Sequence, residues 1–394
     1  MKALASLNLV IVFCGIAISN PFMLINAPSS IPAIVLANPK TPVYDVPSDT
    51  VKKIVLWDCS SDTVCSYSWD SQSHSWINYE ENICIYNPKG MITEYMLNRW
   101  DKTKAVWINS LKSTYYYYAN DSIRLIIEQY RDSTSNNWVN SWKYDYTYSQ
   151  YGDYREMISQ KWDTQSNSWI NVQRETYTYD KDFKKSELRQ QDWDLTSHQW
   201  LAKCRETCKF DLYGNLVRQL VQIWDSDSHA LVDDACYKKT YDGNGNLIEM
   251  RTQVFDPGSN SLVNFSKSRY NYQNGNKIVN ELARSWNARS KEWEVWYSDN
   301  YTYSQDVVEL VRQEWDKNKQ IWRNTGRVVS TYDKNLNKTG DLKQIWDPRN
   351  QAWVNISKKN WKYDNNNNQT GYLYQVWNTE SSNWVSIFKN IQKK

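Results

Sequence analysis

Phenylalanine, histidine, glycine and proline are all scarce in this chain. Among 394 residues there are 7 Phe, 3 His, 11 Gly and 9 Pro. So little Gly and Pro excludes a collagen-like or low-complexity tract. Neither sign of charge dominates, since 47 Lys and Arg face 44 Asp and Glu. That balance excludes a nucleic-acid binder driven by phosphate contacts. Beyond the N-terminus there is no run of about 18 apolar residues, so the mature chain is expected to carry no membrane-spanning helix. The sequence contains no G-x-S-x-G, no H-E-x-x-H and no P-loop. What the chain has instead is 29 Tyr and 22 Trp. That aromatic load argues against disorder.

The N-terminus reads as a targeting segment. Lys2 precedes the apolar run from Ala3 to Ile18, and small residues follow at Ala27 and Ala37. This is the order of a secretory signal, expected over residues 1–37. An uncleaved anchor and a lipidated Cys14 are the alternatives. Residues 38–50 hold three prolines and read as a linker. The expected location is therefore secreted or at the cell envelope. Export permits disulfides. Cys59 and Cys65, at the ends of a turn-like CSSDTVC, make the one pair that looks easy to close. Cys204 and Cys208 would lie roughly 13 Å apart on one strand, too far to bridge.

The rest of the chain, 51–394, is one repeated unit. A first Trp followed by Asp or Asn marks it: Trp69, Trp100, Arg131, Trp162, Trp193, Trp224, Phe255, Trp286, Trp315, Trp346 and Trp377. The spacing is 31 residues throughout, except for one interval of 29 between Trp286 and Trp315. Seven residues after each marker stands a second Trp, or Leu in two units. These two columns hold 18 of the 22 Trp. Between turn signals, Tyr, Thr, Val and Ile alternate, which is the pattern of β-hairpins. No helical period appears. The fold class is therefore all-β: about eleven hairpins and 22 antiparallel strands. Burial of the aromatic face is expected to coil them into an elongated meander or solenoid, or a partly closed shell. A β-propeller is the alternative.

Strand alternation assigns the columns to faces. The two Trp, a Gln two before the first, an Asn two after the second, and the later tyrosines (Tyr177 and Tyr179 in one unit) share a parity. A cross-strand Gln–Asn ladder beside the Trp ladder follows. A basic column, including Lys112, Lys143, Arg174, Arg205, Lys267, Arg327 and Lys358, has the opposite parity and is expected on a separate, solvated face.

The element Y-x-Y-D-x-x-G-N, as at Asp211–Asn215 and Asp242–Asn246, resembles the YD (RHS-type) repeats of secreted bacterial proteins. The fuller W-[DN]-x5-W-[VI]-N pattern is similar to tandem repeats of exported bacterial surface proteins. The resemblance covers about 340 residues. It implies an extracellular β-repeat scaffold. The usual YD unit is shorter than this one, and several turns here lack Gly-Asn.

Residues present in every repeat are scaffold residues first. The Asp after each marker is read as opening a turn by bonding its own backbone. His74, His198 and His229 occupy the same turn position. No catalytic residue, cofactor or metal site is expected. Unrepeated aromatics are the candidates for ligand stacking: Trp296, Phe265 and Tyr116. The leading functional reading is a non-enzymatic exported scaffold or adhesion protein. The alternative is a carbohydrate-binding array using exposed Trp and Tyr. A cell-surface protein or a polysaccharide is the expected partner class, and nucleic acid is not.

Overall fold

The computed structural model describes residues 63–393 apart from Ser71 and Tyr151. The expected signal, the linker and Cys59 lie outside the described residues. The strands run from β1 (Thr63–Asp70) to β22 (Asn383–Lys393), each pairing antiparallel with the next. Each odd-to-even pair is one hairpin of the 31-residue unit. The two Trp of a unit face one another across it, as in Trp162↔Trp169. Their rings meet edge to face at 4.9–5.4 Å between centroids in eight units. Such pairs add about 0.5–1.5 kcal/mol each beyond their buried area.

The Asp after the first Trp builds the turn. Asp163 Oδ1 accepts the Gln165 N–H at 3.1 Å, and Oδ2 accepts the Ser166 N–H at 3.1 Å. These bonds, with the Ser166 hydroxyl, hold the Asp163 carboxyl below its usual pKa. The residue four further on is left-handed in all eleven turns, with φ between 48° and 57°. His74, His198 and His229 sit there, so their shared position is a backbone requirement.

The array closes. β1 pairs with β22 from Thr63↔Lys393 to Ser68↔Phe388. An open solenoid, a partly closed shell and a propeller are all excluded by that ladder: the protein is a closed 22-stranded barrel. The register explains why. Ser66 pairs with Glu80, and Glu80 pairs with Arg99. Ser66 is three residues before Trp69, whereas Arg99 is one residue before Trp100. A walk perpendicular to the strands therefore gains two residues per unit. The seam repeats the same step, through Tyr374↔Phe388↔Ser68. Eleven steps of two residues give a shear of 22, equal to the strand number. With strands about 4.8 Å apart and about 3.3 Å per residue, that combination tilts the strands about 35° and encloses a cylinder of about 20 Å radius.

One bulge per hairpin overturns the parity assignment. Gln160 pairs with Asn171, but Ser159 pairs with Gln173, which leaves Val172 as the extra residue. The same shift recurs at Tyr79, Ser141, Phe265, Trp296 and their equivalents. An inserted residue exchanges the faces beyond it. The tyrosines Tyr177 and Tyr301 thus leave the Trp face, and the basic column joins it. The two faces are then a Trp face and a Tyr face.

The Tyr face points inward. In the turn, Asp132 N–H donates to Asn137 O, so in each odd strand it is the Tyr-face residues whose N–H and C=O reach the following strand. With L-residues and a right-handed strand twist, the direction of the shear makes that face concave. Burial agrees, because Leu97, Leu188, Glu175, Tyr177, Cys204 and Asp299 are all buried on it. The 29-residue interval leaves this geometry intact. β16 (Glu292–Tyr303) and β17 (Val307–Asp316) are joined by three residues with no irregularity in their ladder. Tyr297↔Glu314 keeps the two-residue step.

Candidate ligand-binding wall

The outer face is a belt that repeats. The expected Gln–Asn pairs form: Gln160 Nε2 donates to Asn171 Oδ1 at 2.8 Å, and Gln344 Nε2 to Asn355 Oδ1 at 2.9 Å. The basic column ties each hairpin to the next. Arg174 Nη2 donates to Gln191 Oε1 at 2.6 Å and its guanidinium lies 5.2 Å from the Trp200 ring centroid. Lys267 over Trp293 and Lys358 over Trp384 repeat this at 4.8 and 4.6 Å. At the seam Lys389 lies over Trp76. So the cations are not a separate solvated face; they bridge the Trp ladders of neighbouring units. Lys, Arg, Gln, Asn and Thr across the middle of this face do not make the apolar band that lipid contact requires.

The inner wall repeats less and holds different chemistry. Its tyrosines sit beside carboxylates. Tyr177 Oη donates to Glu175 Oε2 at 2.9 Å, and Gln190 Nε2 donates to Glu175 Oε1 at 2.7 Å. The Tyr154 ring meets that of Tyr177 at 4.7 Å between centroids, tilted by 48°. Burial alone pushes the Glu128 carboxyl up to about 7. A second tyrosine column near the far rim is structural. Tyr179 Oη donates to the Tyr154 carbonyl at 2.8 Å, and Tyr117, Tyr241, Tyr272, Tyr303 and Tyr363 make the same bond 25 residues back. Among the described residues no three His, Cys, Asp or Glu are grouped to hold a metal.

The structure separates the three stacking candidates. Trp296 and Phe265 occupy the bulge position of adjacent units, on β16 and on β14 (Ser261–Gln273). The Trp296 ring meets that of inner-facing Tyr297 at 5.1 Å, and Tyr79 at the same bulge position meets inner-facing Phe388 at 6.4 Å, which places the side chains of this position, Phe265 among them, on the inner wall. Trp296 and Phe265 are 51% and 40% exposed. One strand, β15 (Lys277–Asn287), runs between them. Tyr116 is 41% exposed but lies on the outer face of β4 (Val106–Tyr117), and nothing brings it to the other two. The expected partner of Cys65 lies outside the described residues; Cys65 itself is buried, with its thiol 3.5 Å from Glu81 Oε1.

Sequence reading missed what stands behind Trp296. Its indole meets the Tyr297 ring edge to face at 5.1 Å. The Arg312 guanidinium lies 4.2 Å from the centroid of that Tyr297 ring. Arg312 also grips Asp299 bidentately, at 2.7 and 2.6 Å. Tyr297 Oη donates to Glu281 Oε1 at 3.1 Å, which also accepts the Ser268 hydroxyl at 2.9 Å. Burial raises the Glu281 pKa. The signal was available as departure from the repeat. Glu281 stands in a mostly apolar column, with Val64, Ile126, Met157, Leu188 and Leu310 but also Gln219 and Asp341, whereas Arg312 stands in a mixed one that holds Leu97 and Val221 beside Glu128, Gln190 and Lys343.

Comparison with known proteins places part of this chain. A family of unknown function, DUF3836, matches residues 240–330. No curated protein matches the chain. A structure of a protein of unknown function from Bacteroides fragilis NCTC 9343 is 16% identical, covering 32% of this chain and 90% of its own, with a TM-score of 0.30. A DUF3836 family protein from Bacteroides vulgatus ATCC 8482 is 22% identical over 23% of this chain and 91% of its own, with a TM-score of 0.21. A TcdB2-TccC3 structure is 12% identical over 79% of this chain and 16% of its own, with a TM-score of 0.34. The three-repeat stretch matched by the family contains Phe265, Glu281, Trp296, Asp299 and Arg312.

Proposed function

We propose that this chain is an exported, non-enzymatic binding scaffold that takes its ligand on the inner wall of the barrel. The observation that carries the reading is the pair of exposed rings, Trp296 and Phe265, on a concave wall. Large aromatics exposed together on a concave wall are what a binding surface offers a ligand. The wall is wide enough to admit a chain-like ligand, since the barrel radius is about 20 Å. The outer face repeats its bonds from unit to unit, while the inner face, away from its rim tyrosines, varies. Carbohydrate is the favoured ligand class, because aromatic faces beside hydroxyls and carboxylates stack on sugar rings and bond their hydroxyls. The resemblance to YD-type repeats of surface proteins supports an extracellular setting. A glycan array probed with the full chain tests the reading. Saturable binding of at least one glycan is the expected result. Silence across the array, with capture of a cell-surface protein instead, would replace carbohydrate by a protein partner.

A further inference from the structure

We propose that Trp296 and Phe265 are two subsites for the first and third rings of a neutral oligosaccharide segment, with Trp296 held in place by the Tyr297–Arg312–Asp299 network. This rests on the reading of the inner wall as a binding surface and names one place on it.

Three observations converge. The first is spacing. The two rings occupy equivalent positions of adjacent units with one strand between them, so they stand on the order of 10 Å apart. That suits a trisaccharide or a longer chain laid across β15, its first and third rings on the two aromatics. The second is the floor between them. Ser285 and Glu294 form a cross-strand pair on the inner face there, offering a hydroxyl and a carboxylate to sugar hydroxyls. Glu314 is exposed and pairs in register with Tyr297. The third is support. An exposed Trp on a strand has no reason to rest on a buried ion pair, yet Trp296 leans on Tyr297, whose ring is capped by Arg312. Arg312 and Asp299 are both largely buried, at 12% and 4% side-chain exposure. Fixing a ring before the ligand arrives removes part of the ordering cost of binding.

Charge selects the neutral class. The ionic groups here already have partners: Arg312 with Asp299, Lys317 with Glu294, and Arg323 with Asp316. The exposed Glu314 adds a carboxylate. An acidic sugar would meet that carboxylate and find its cations taken.

The test titrates the full chain with cello-, malto-, xylo- and manno-oligosaccharides, read by calorimetry and Trp fluorescence. One neutral series should bind saturably. Trp296→Ala should weaken it at least tenfold, Phe265→Ala several-fold, and Trp296→Phe should restore most of it. Asp299→Asn should weaken binding by loosening the platform, and circular dichroism would confirm that each variant is folded. Binding unchanged in Trp296→Ala overturns this site while leaving the inner-wall reading intact. Binding only of acidic glycans from the array overturns the neutral class. No binding of any neutral oligosaccharide overturns the proposal outright.

Discussion

The two faces of this barrel follow different rules. On the outer face the same three features recur: the Trp pair in eight units, the Gln–Asn bond in five and the cation over the next unit's Trp in six. On the inner face the same strands carry Leu, Glu, Ser, Cys or Arg at equivalent positions. The difference teaches where the constraint lies. Closing the ring demands that every seam step by the same two residues, which favours a recurring set of side chains at the seams; Arg131, Leu231, Phe255 and Leu262 are the departures that still keep the step. Apart from the tyrosines near the far rim that bond the preceding unit, the inner wall varies from unit to unit and has room to hold chemistry.

The sharpest way to break this contrast is to change the number of strands. Each unit contributes two strands and two residues of shear, so the tilt does not depend on how many units there are. Removing one whole unit, residues 163–193, should leave a closed barrel of ten hairpins. Its radius should fall from about 20 to about 18 Å, which small-angle scattering can read. Removing a single strand, β8 (Ser168–Tyr179) with its turn, leaves an odd number and no antiparallel partner at the seam. That variant should not fold as a barrel. If the ten-unit chain fails equally, the equal-step account of closure is wrong.

Much of this was legible in the sequence, and the reasons are local. The Trp period fixed the hairpins because turns and cross-strand pairs act over a few residues. The Gln–Asn ladder was legible because it lies between the turn and the bulge. The bulge itself was not. Val172 carries no Gly or Pro to announce an extra residue, and strand parity cannot detect one. Everything beyond it, Arg174 and Tyr177 included, was therefore placed on the wrong face. Closure was hidden for another reason: an open and a closed array have the same local pattern, and only the summed register decides between them. Of the network behind Trp296 only Glu281 stands out, as an acid in a mostly apolar column; Arg312 shares its column with Glu128, Gln190 and Lys343 and carries no such signal.

Equivalent chemistry on the two faces sharpens the comparison. Arg312 on the inner wall holds Asp299, which is 4% exposed at its side chain. Arg312→Gln would strand that carboxylate, and breaking a buried pair from one side costs about 3–5 kcal/mol. Urea unfolding should register that loss. Asp299→Asn in the same chain should recover part of it, because the stranded charge is then gone.

Glu128 gives an inner-wall effect with a pH signature. Its folded pKa lies at about 7, above the ordinary 4.5, because burial disfavours the charged form. The folded state therefore holds the proton where the unfolded state has released it. Stability from this group is fully present below pH 4.5 and is lost as pH rises to about 7. The loss is at most about 3.4 kcal/mol. Glu128→Gln should flatten that part of the stability profile and raise stability at pH 7. An unchanged profile would mean that Glu128 is solvated in the lumen.

The smallest effect belongs to the outer belt, and its smallness is the point. Arg174 bonds Gln191 and covers Trp200, but its side chain is 30% exposed and water can replace it. Arg174→Gln should cost about 1 kcal/mol. Ten other units keep the ring closed around that one weakened seam. A loss as large as that of Arg312→Gln would mean that closure is held by a few special seams rather than shared among equal ones. The division between a repeated closing face and a varied binding face would then fail.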